Sequence, residues 1–535
     1  MKMPSQTGPN SRFAQAPQAD IPRSVYNRSH PIKTTFDSGL LIPIHTDEML
    51  PGDTFNVRAK LFARMATPLH PIMDNARLTT FFFAVPKRLL WENWEKFNGA
   101  QDNPEDSTDF LVPQITPAGE PGDVFASNKL MDYIGVAPGV PNHSVNAWWS
   151  RAYNLIYNEW FRDQNLSDSV TVDLDDGPDF SPDYVLKRRS KRKDYFTGAL
   201  PWTQKGDAVT LPLFSDNPSV VSDPTTDGIP LFNIGGSSNP TWLQGGNLTG
   251  NGANWTDGLG AVPLGDAEWE DPKLVVDTAG AVATINQLRE SFAFQKILER
   301  DARGGTRYVE SVKAHFRVTS PDARMMRPEY IGGASQPLNS TVVPQQSRTV
   351  SSGTDASPQG NLAAYTTSYG EGHRYVYSAT EHVVILGLAC VTADLSYAQG
   401  TNRMFFRRTR YDEYLPALAH LGEQAILNKE LYADGTSADE EVFGYQERWA
   451  EYRYKPGMIT GLFRPQHPQS LATWTLTQEF DTRPALNEAF IEENPPFDRV
   501  IAVEDEPEFI LDGYFTCKAA RPMPTFSVPG YTDRF

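Results

Sequence analysis

The stretch Ala76–Gly99, ARLTTFFFAVPKRLLWENWEKFNG, constrains the fold of this chain more than any other. From Arg77 to Val85 it is β-prone and apolar on both faces, with Phe81, Phe83 and Val85 on one side and Phe82 and Ala84 on the other. A strand of that kind must be covered on both sides. An antiparallel sheet with one wet face needs no such cover, so either an inserted layer of the same chain or another subunit packs on its back. Pro86 ends the ladder and suits the first turn of a helix. Leu90, Trp94 and Phe97 then recur at i, i+4, i+7 beside Trp91, which predicts an aromatic helix over Lys87–Phe97 stopped by Gly99.

A second strand is as legible. In Asp53–Met65 the residues Phe55, Val57, Ala59, Leu61, Ala63 and Met65 face one way, and Thr54, Asn56, Arg58, Lys60 and Arg64 face the other, with Phe62 breaking the rule. Its polar face carries three cations and no acid, so it is either a solvated face or one turned toward an anionic partner. The last strand, Phe509–Ala519, alternates as well, with Phe509, Leu511, Phe515 and Cys517 in and Asp512, Thr516 and Lys518 out. Val383–Val391 is apolar on both faces, like the opening stretch.

Helical spacing is confined to the connections. Asn146–Gln164 places Trp149, Tyr153, Ile156, Tyr157 and Trp160 on one face, Ile285–Arg303 ends at Gly304–Gly305, Tyr308–Phe316 is a further short helix, and Leu415–Leu431 reads as mixed helical. An aromatic stripe at that spacing is packing or interface. Phe81, Phe82, Phe83, Trp91, Trp94, Trp149, Trp160 and Trp449 are assigned to that role. With 42 prolines spread over 535 residues, an all-helical chain is disfavoured. First and last strands of matching quality, with helices between strands, predict an all-β sandwich with long, partly helical inserted loops.

The organisation expected is an extended N-terminal arm over 1–30, a first core part over 31–204, an inserted surface excursion over 205–281, and a second core part over 282–535. The excursion is dense in Gly, Asn, Ser and Thr with Trp242 and Trp255 isolated in it. Residues 331–372 read as a second long loop.

The formal net charge of −18 excludes a chain that neutralises nucleic acid over its whole surface. Contact with nucleic acid must be local or assisted by a basic partner. Candidates are Arg12, Arg23 and Arg28 in the arm, the Arg58/Lys60/Arg64 face, and the run Lys187, Arg188, Arg189, Lys191, Arg192, Lys193, which suits phosphate contact or a subunit ion-pair network. Cys390 and Cys517 form no disulfide framework and no metal-ligand spacing. The N-terminus has no apolar core for secretion, and Val383–Val391 is too short to span a bilayer, so no membrane insertion is expected.

Catalytic signatures are missing. There is no GxSxG, HExxH, GxxxxGK[ST] or CxxC, and Gly258-Leu-Gly260 is not a dinucleotide fingerprint. Asp173–Asp179, DLDDGPD, fails the EF-hand pattern and reads as a solvated acidic turn. His373 lies in a Gly-rich segment as polar lining or nothing. No cofactor or metal is implied, and no enzyme is expected. A glycan-binding module using the Trp242/Trp255 loop, or a sandwich glycoside hydrolase with two carboxylates at mechanistic spacing, remains as an alternative.

Five strings, Asp74–Gly99, Arg151–Leu166, Leu298–Glu310, Ser320–Gly333 and Phe443–Arg464, together closely resemble the major capsid protein of the Microviridae, in its gokushovirus branch. The resemblance covers nearly the whole chain except about 205–281 and parts of 340–372. It implies a single eight-stranded viral jelly roll and self-assembly into a T = 1 icosahedral shell around circular single-stranded DNA. It also implies a virion protein assembled in the bacterial cytoplasm. The partners it implies are a small basic DNA-binding protein, a pilot protein, an internal scaffolding protein and a host surface receptor. The variable insertion would project at the threefold axes for host attachment, which would fall here on 205–281, with Trp242, Asn247 and Trp255 as candidate contacts. The basic run 187–193 enters that segment and could support it rather than face the genome.

Overall fold

The computed structural model describes residues 22–118, 123–210, 284–346, 359–503 and 505–526, with short strands between 220 and 276. The chain divides into two compact units, 1–203 with 304–535, and 204–303.

The first unit is built on ten strands: β1 (Arg23–Asn27), β2 (His30–Phe36), β3 (Ile42–Met49), β4 (Thr54–Met65), β5 (Ala76–Pro86), β6 (Glu329–Pro337), β7 (Asn339–Pro344), β8 (Leu362–Ser378), β9 (Val383–Ala393) and β10 (Phe509–Pro522). Sheet one runs β2–β10–β4–β8, and sheet two runs β6–β5–β9–β3, all antiparallel. The single pair Gly332↔Tyr375 joins the two along one side. β1 extends sheet one along the C-terminal half of β10, and β7 along the first half of β8. This is the eight-stranded jelly roll, with its great insertions between β5 and β6 and between β9 and β10.

The sandwich core follows from alternation. Every inward residue of β4, from Phe55 to Met65, is at most 3% exposed. They meet Phe82 and Ala84 of β5, Val383 and Ile385 of β9, and Phe509, Leu511, Phe515 and Cys517 of β10. Gly387 sits opposite Phe82 on β9, where an added Cβ would lie 2.8 Å from the ring. The glycine is the space the phenylalanine occupies.

The other face of β5 and β9 is sealed by the same chain. Phe83, Val85, Leu386, Leu388 and Cys390 pack under Trp91, Trp148, Tyr153, Ile156 and Tyr157. Most of that cover is helix α1 (Trp148–Ile156), continued by a wider turn over Tyr157–Phe161. An inserted layer, not a neighbouring subunit, therefore covers this part of the sheet.

Three expectations need correction. Lys87–Phe97 is not one helix but a tight 3₁₀ turn, Lys87–Leu89, and a separate single turn, Trp94–Phe97. The carbonyl of Leu90 accepts from Arg151 Nη1 at 2.8 Å, and Trp91 Nε1 donates to Asp176 at 2.7 Å, so the polar groups between the turns are bound elsewhere. Of residues 331–372, 347–358 lie outside the described residues, and the rest hold most of β6, all of β7 and much of β8 instead of the expected loop. Their buried positions are small or polar (Ala364, Thr366, Ser368) and so show no apolar alternation. Leu415–Leu431 contains a 3₁₀ turn, a strand Glu423–Leu427 paired with Val442–Glu447, and one helical turn. Residues 23–27 of the expected extended arm form the edge strand β1, which buries no residue. Helices Ile285–Gly304 and Tyr308–Phe316 lie where their spacing puts them.

Candidate nucleic-acid interface

Among the described residues, the outer face of sheet one is exposed. Its register can be read row by row across the strands. Arg58 lies between Thr516 and Arg374, Lys60 beside Tyr514, Phe62 between Asp512 and Tyr369, and Arg64 between Ile510 and Thr367. Lys33 of β2 adjoins Asp512, and Lys518 adjoins Asn56. Six cations, Lys33, Arg58, Lys60, Arg64, Arg374 and Lys518, all exposed, thus face two acids, Glu371 and Asp512. The local excess of four positive charges stands against a chain total of −18.

Lys60 spends its charge on Glu371 at 2.9 Å, and this hydrogen bond holds the ammonium pKa above its ordinary value. Among the described residues no carboxylate pairs with Arg58, Arg64 or Arg374. Arg58 and Arg374 are directly opposite on adjacent strands, an arrangement that repels unless an anion lies between them. Sequence reasoning found the β4 cations but missed Lys33, Arg374, Tyr369 and Tyr514. The alternation of β10 places Tyr514 with Asp512 and Thr516, but only pairing brings it beside Lys60.

Arg23, exposed on β1, sits at the margin of this same face, outside those six cations, and donates to Thr54 Oγ1. The remaining candidates lie elsewhere. Arg28 binds Asp47 through both carboxylate oxygens, at 2.6 and 2.7 Å, over the Phe55 ring. In the basic run, Arg188 donates to the carbonyls of Ser38 and Glu493, and Arg189 lies over Phe81. Lys191 is buried, donating to Gln478 and to the carbonyl of Phe490, and burial pushes its pKa down to about 8. Arg192 and Lys193 are exposed but paired with Asp394 and Asp163; Lys187 is half-buried. As one phosphate-binding strip the run is corrected: the fold's own oxygens hold Arg188 and Lys191. Arg12, Trp242 and Asn247 lie outside the described residues, as does the side chain of Trp255.

The aromatic assignments divide by depth. Phe82, Phe83, Trp91 and Trp449 are buried, whereas Phe81, Trp94, Trp149 and Trp160 are half-buried. Trp160 donates to the carbonyl of Pro328 and lies under Arg327.

DLDDGPD is solvated over residues 174–176 but not at its end. Its last carboxylate, Asp179, is fully buried against the fully buried guanidinium of Arg151. Tyr184 also donates to Asp179, at 2.6 Å. His373, 1% exposed, is held between Thr80 and Gln336 at 2.6 and 2.7 Å. A cavity of about 200 Å³ contains Glu430 and Glu451. Both are engaged, Glu430 by Arg403 and Tyr195, Glu451 by Arg407 and Gln424, so neither is a free nucleophile or acid. Among the described residues no group of three His, Cys, Asp or Glu side chains could hold a metal, and no helix is long and apolar enough to cross a membrane.

The profile of the family described as "Capsid protein (F protein)" matches residues 14–531. The chain belongs to this phage capsid family. It is 46% identical over 548 residues to capsid protein VP1 of Bdellovibrio phage phiMH2K, covering 100% of both chains. It is 39% identical to capsid protein VP1 of Chlamydia phage 1, over 97% of each chain, and 34% identical to that of Spiroplasma virus 4, over 95% of each. These relatives make it a microvirus capsid protein of the gokushovirus VP1 type. A capsid protein of this family is structural rather than catalytic, forms an oligomeric shell and resides in the virion.

Proposed function

We propose that this capsid protein assembles as a T = 1 icosahedral shell around circular single-stranded DNA, with the outer face of sheet one turned toward the genome. The observation that carries the reading is the asymmetry of the sandwich. The insertions of the chain itself seal the back of sheet two, whereas sheet one keeps an open face of six cations and two acids in an acidic protein. A patch of that sign opposes the chain's own charge and matches a polyphosphate. An acidic shell also leaves part of the neutralisation to a small basic partner, with pilot and scaffolding proteins completing assembly in the bacterial cytoplasm. Residues 205–281 serve host attachment as a projection at the threefold axes.

The test is expression with those partners, followed by electron microscopy and the nucleic-acid content of purified particles. Particles of Arg58→Gln/Lys60→Gln/Arg64→Gln should form but carry less DNA. A chain that stays monomeric under every co-expression and salt condition refutes the shell, and unchanged DNA content refutes the orientation. Deletion of 205–281 should abolish host-cell binding by particles that still form; unchanged binding removes the segment from attachment.

A further inference from the structure

The open face of sheet one offers rings as well as charge. Phe62 of β4 stands opposite Tyr369 of β8, and Tyr514 of β10 stands opposite Lys60, one same-face row from Phe62. The three rings are 44%, 60% and 48% exposed. With strands about 4.8 Å apart and same-face residues about 6.8 Å apart along a strand, they form a compact triangle. Arg58 and Lys60 on one side and Arg64 on the other flank Phe62 along β4 itself.

Exposed rings on a sheet ordinarily mark a protein contact. Here they sit among guanidinium groups that, among the described residues, pair with no carboxylate, and Arg58 faces Arg374. A chain of phosphates between those arginines relieves their repulsion and brings bases over the rings. A four-stranded sheet that presents two or three rings to splayed bases is how RNA-recognition modules hold single strands. We propose that the outer face of sheet one is a stacking platform for single-stranded nucleic acid, with bases on Phe62, Tyr369 and Tyr514 and phosphates at Arg58, Arg374 and Arg64. The proposal rests on the genome-facing reading of this face and adds the mode of contact. Stacking accepts any base, because each has a π-face, and rejects duplex, whose bases already stack on one another.

The test uses the full-length, unassembled chain with a fluorescent oligo-dT, a duplex of equal length and inorganic polyphosphate. Wild type should prefer the single strand. Phe62→Ala, Tyr369→Ala and Tyr514→Ala should each weaken oligo-dT binding roughly ten-fold without altering its salt dependence, and Phe62→Trp should retain it. Arg58→Gln/Arg64→Gln/Arg374→Gln should instead flatten the salt dependence, by about 0.7 in log–log slope for each phosphate no longer neutralised. Alanine variants that bind like wild type, or duplex bound as tightly as single strand, overturn the stacking while leaving the charge reading intact. Wild type that binds neither oligonucleotide nor polyphosphate overturns the genome-facing reading itself. Alanine variants that bind DNA normally but no longer form particles make the rings a subunit interface and overturn the proposal.

Discussion

Replacement of Asp179 by asparagine isolates a fully buried ion pair made by α1. Arg151 and Asp179 side chains are both 0% exposed. The guanidinium donates to both carboxylate oxygens through Nε and Nη2. Its remaining Nη1 donates to the carbonyls of Leu90 and Asp175 at 2.8 and 3.0 Å. Asp179→Asn keeps the shape and one acceptor but leaves a positive charge with no buried counter-charge; Asp175, 79% exposed and 3.4 Å away, compensates little. Breaking such a pair costs about 3–5 kcal/mol, and the retained amide oxygen puts Asp179→Asn near 3 kcal/mol on that scale. Arg151→Met strands the carboxylate and two carbonyls, for about 4–5 kcal/mol. The double variant Arg151→Met/Asp179→Asn removes both charges, so it should be no less stable than Arg151→Met alone, a coupling of about 3 kcal/mol. The assay is urea unfolding of the unassembled chain by tryptophan fluorescence and circular dichroism, with equal slopes required before midpoints are compared. An Asp179→Asn loss below about 1 kcal/mol, or additive single effects, would refute the claim of a dry, mutually dependent pair.

Other outcomes follow from the same structure. Trp91→Ala should cost about 3–5 kcal/mol because the ring is fully buried, whereas half-buried Trp94→Ala should cost about half as much; equal losses in unfolding experiments would mean that Trp94 is as deeply packed. Burial, then the charges of His30 and Arg28, pushes His45 from 6.5 down to about 3, and burial takes His373 to about 4. The unfolded chain therefore binds more protons below pH 6.5, and these groups withdraw stability as pH falls from 6.5 toward 4, by up to about 1.4 kcal/mol per pH unit each. Burial raises Glu508 to about 7; its contribution is present below the ordinary carboxylate value and lost as pH rises through 7, so it opposes the histidines. Glu508→Gln should steepen the acid loss measured by urea midpoints, and an unchanged profile would count against its burial. Gly39 has φ +75°, and a Cβ there would lie 1.9 Å from the carbonyl of Glu493. Gly39→Ala should destabilise the chain by more than about 1 kcal/mol, and a neutral melt would show that this turn yields.

Legibility followed apolar contrast. β4 and β10 could be read because large apolar residues alternate with charged ones, and each buries its predicted face. β5 declared its two covers because Phe82 and Phe83 point opposite ways. β6, β7 and the first half of β8 were hidden because they bury no run of large apolar residues: β6 buries only Gln336, β7 buries none, and β8 buries Ala364, Thr366 and Ser368 before it reaches His373 and Tyr375. The basic run looked like a surface strip because sequence counts charges and not the carbonyls that Arg188 and Lys191 find hundreds of residues away. Asp179 looked solvated for the same reason.

By itself the sequence determined the sandwich class, the need for a second layer behind β5, the cationic face of β4 and membership in a capsid family, all of which rest on local periodicity or on strings of neighbouring residues. Only the tertiary structure decided what covers β5, which charges are already spent, and that Phe62, Tyr369 and Tyr514 share one face with Arg58 and Arg374. Those facts depend on register between strands far apart in the chain, which hydrogen-bond pairing fixes and composition does not encode.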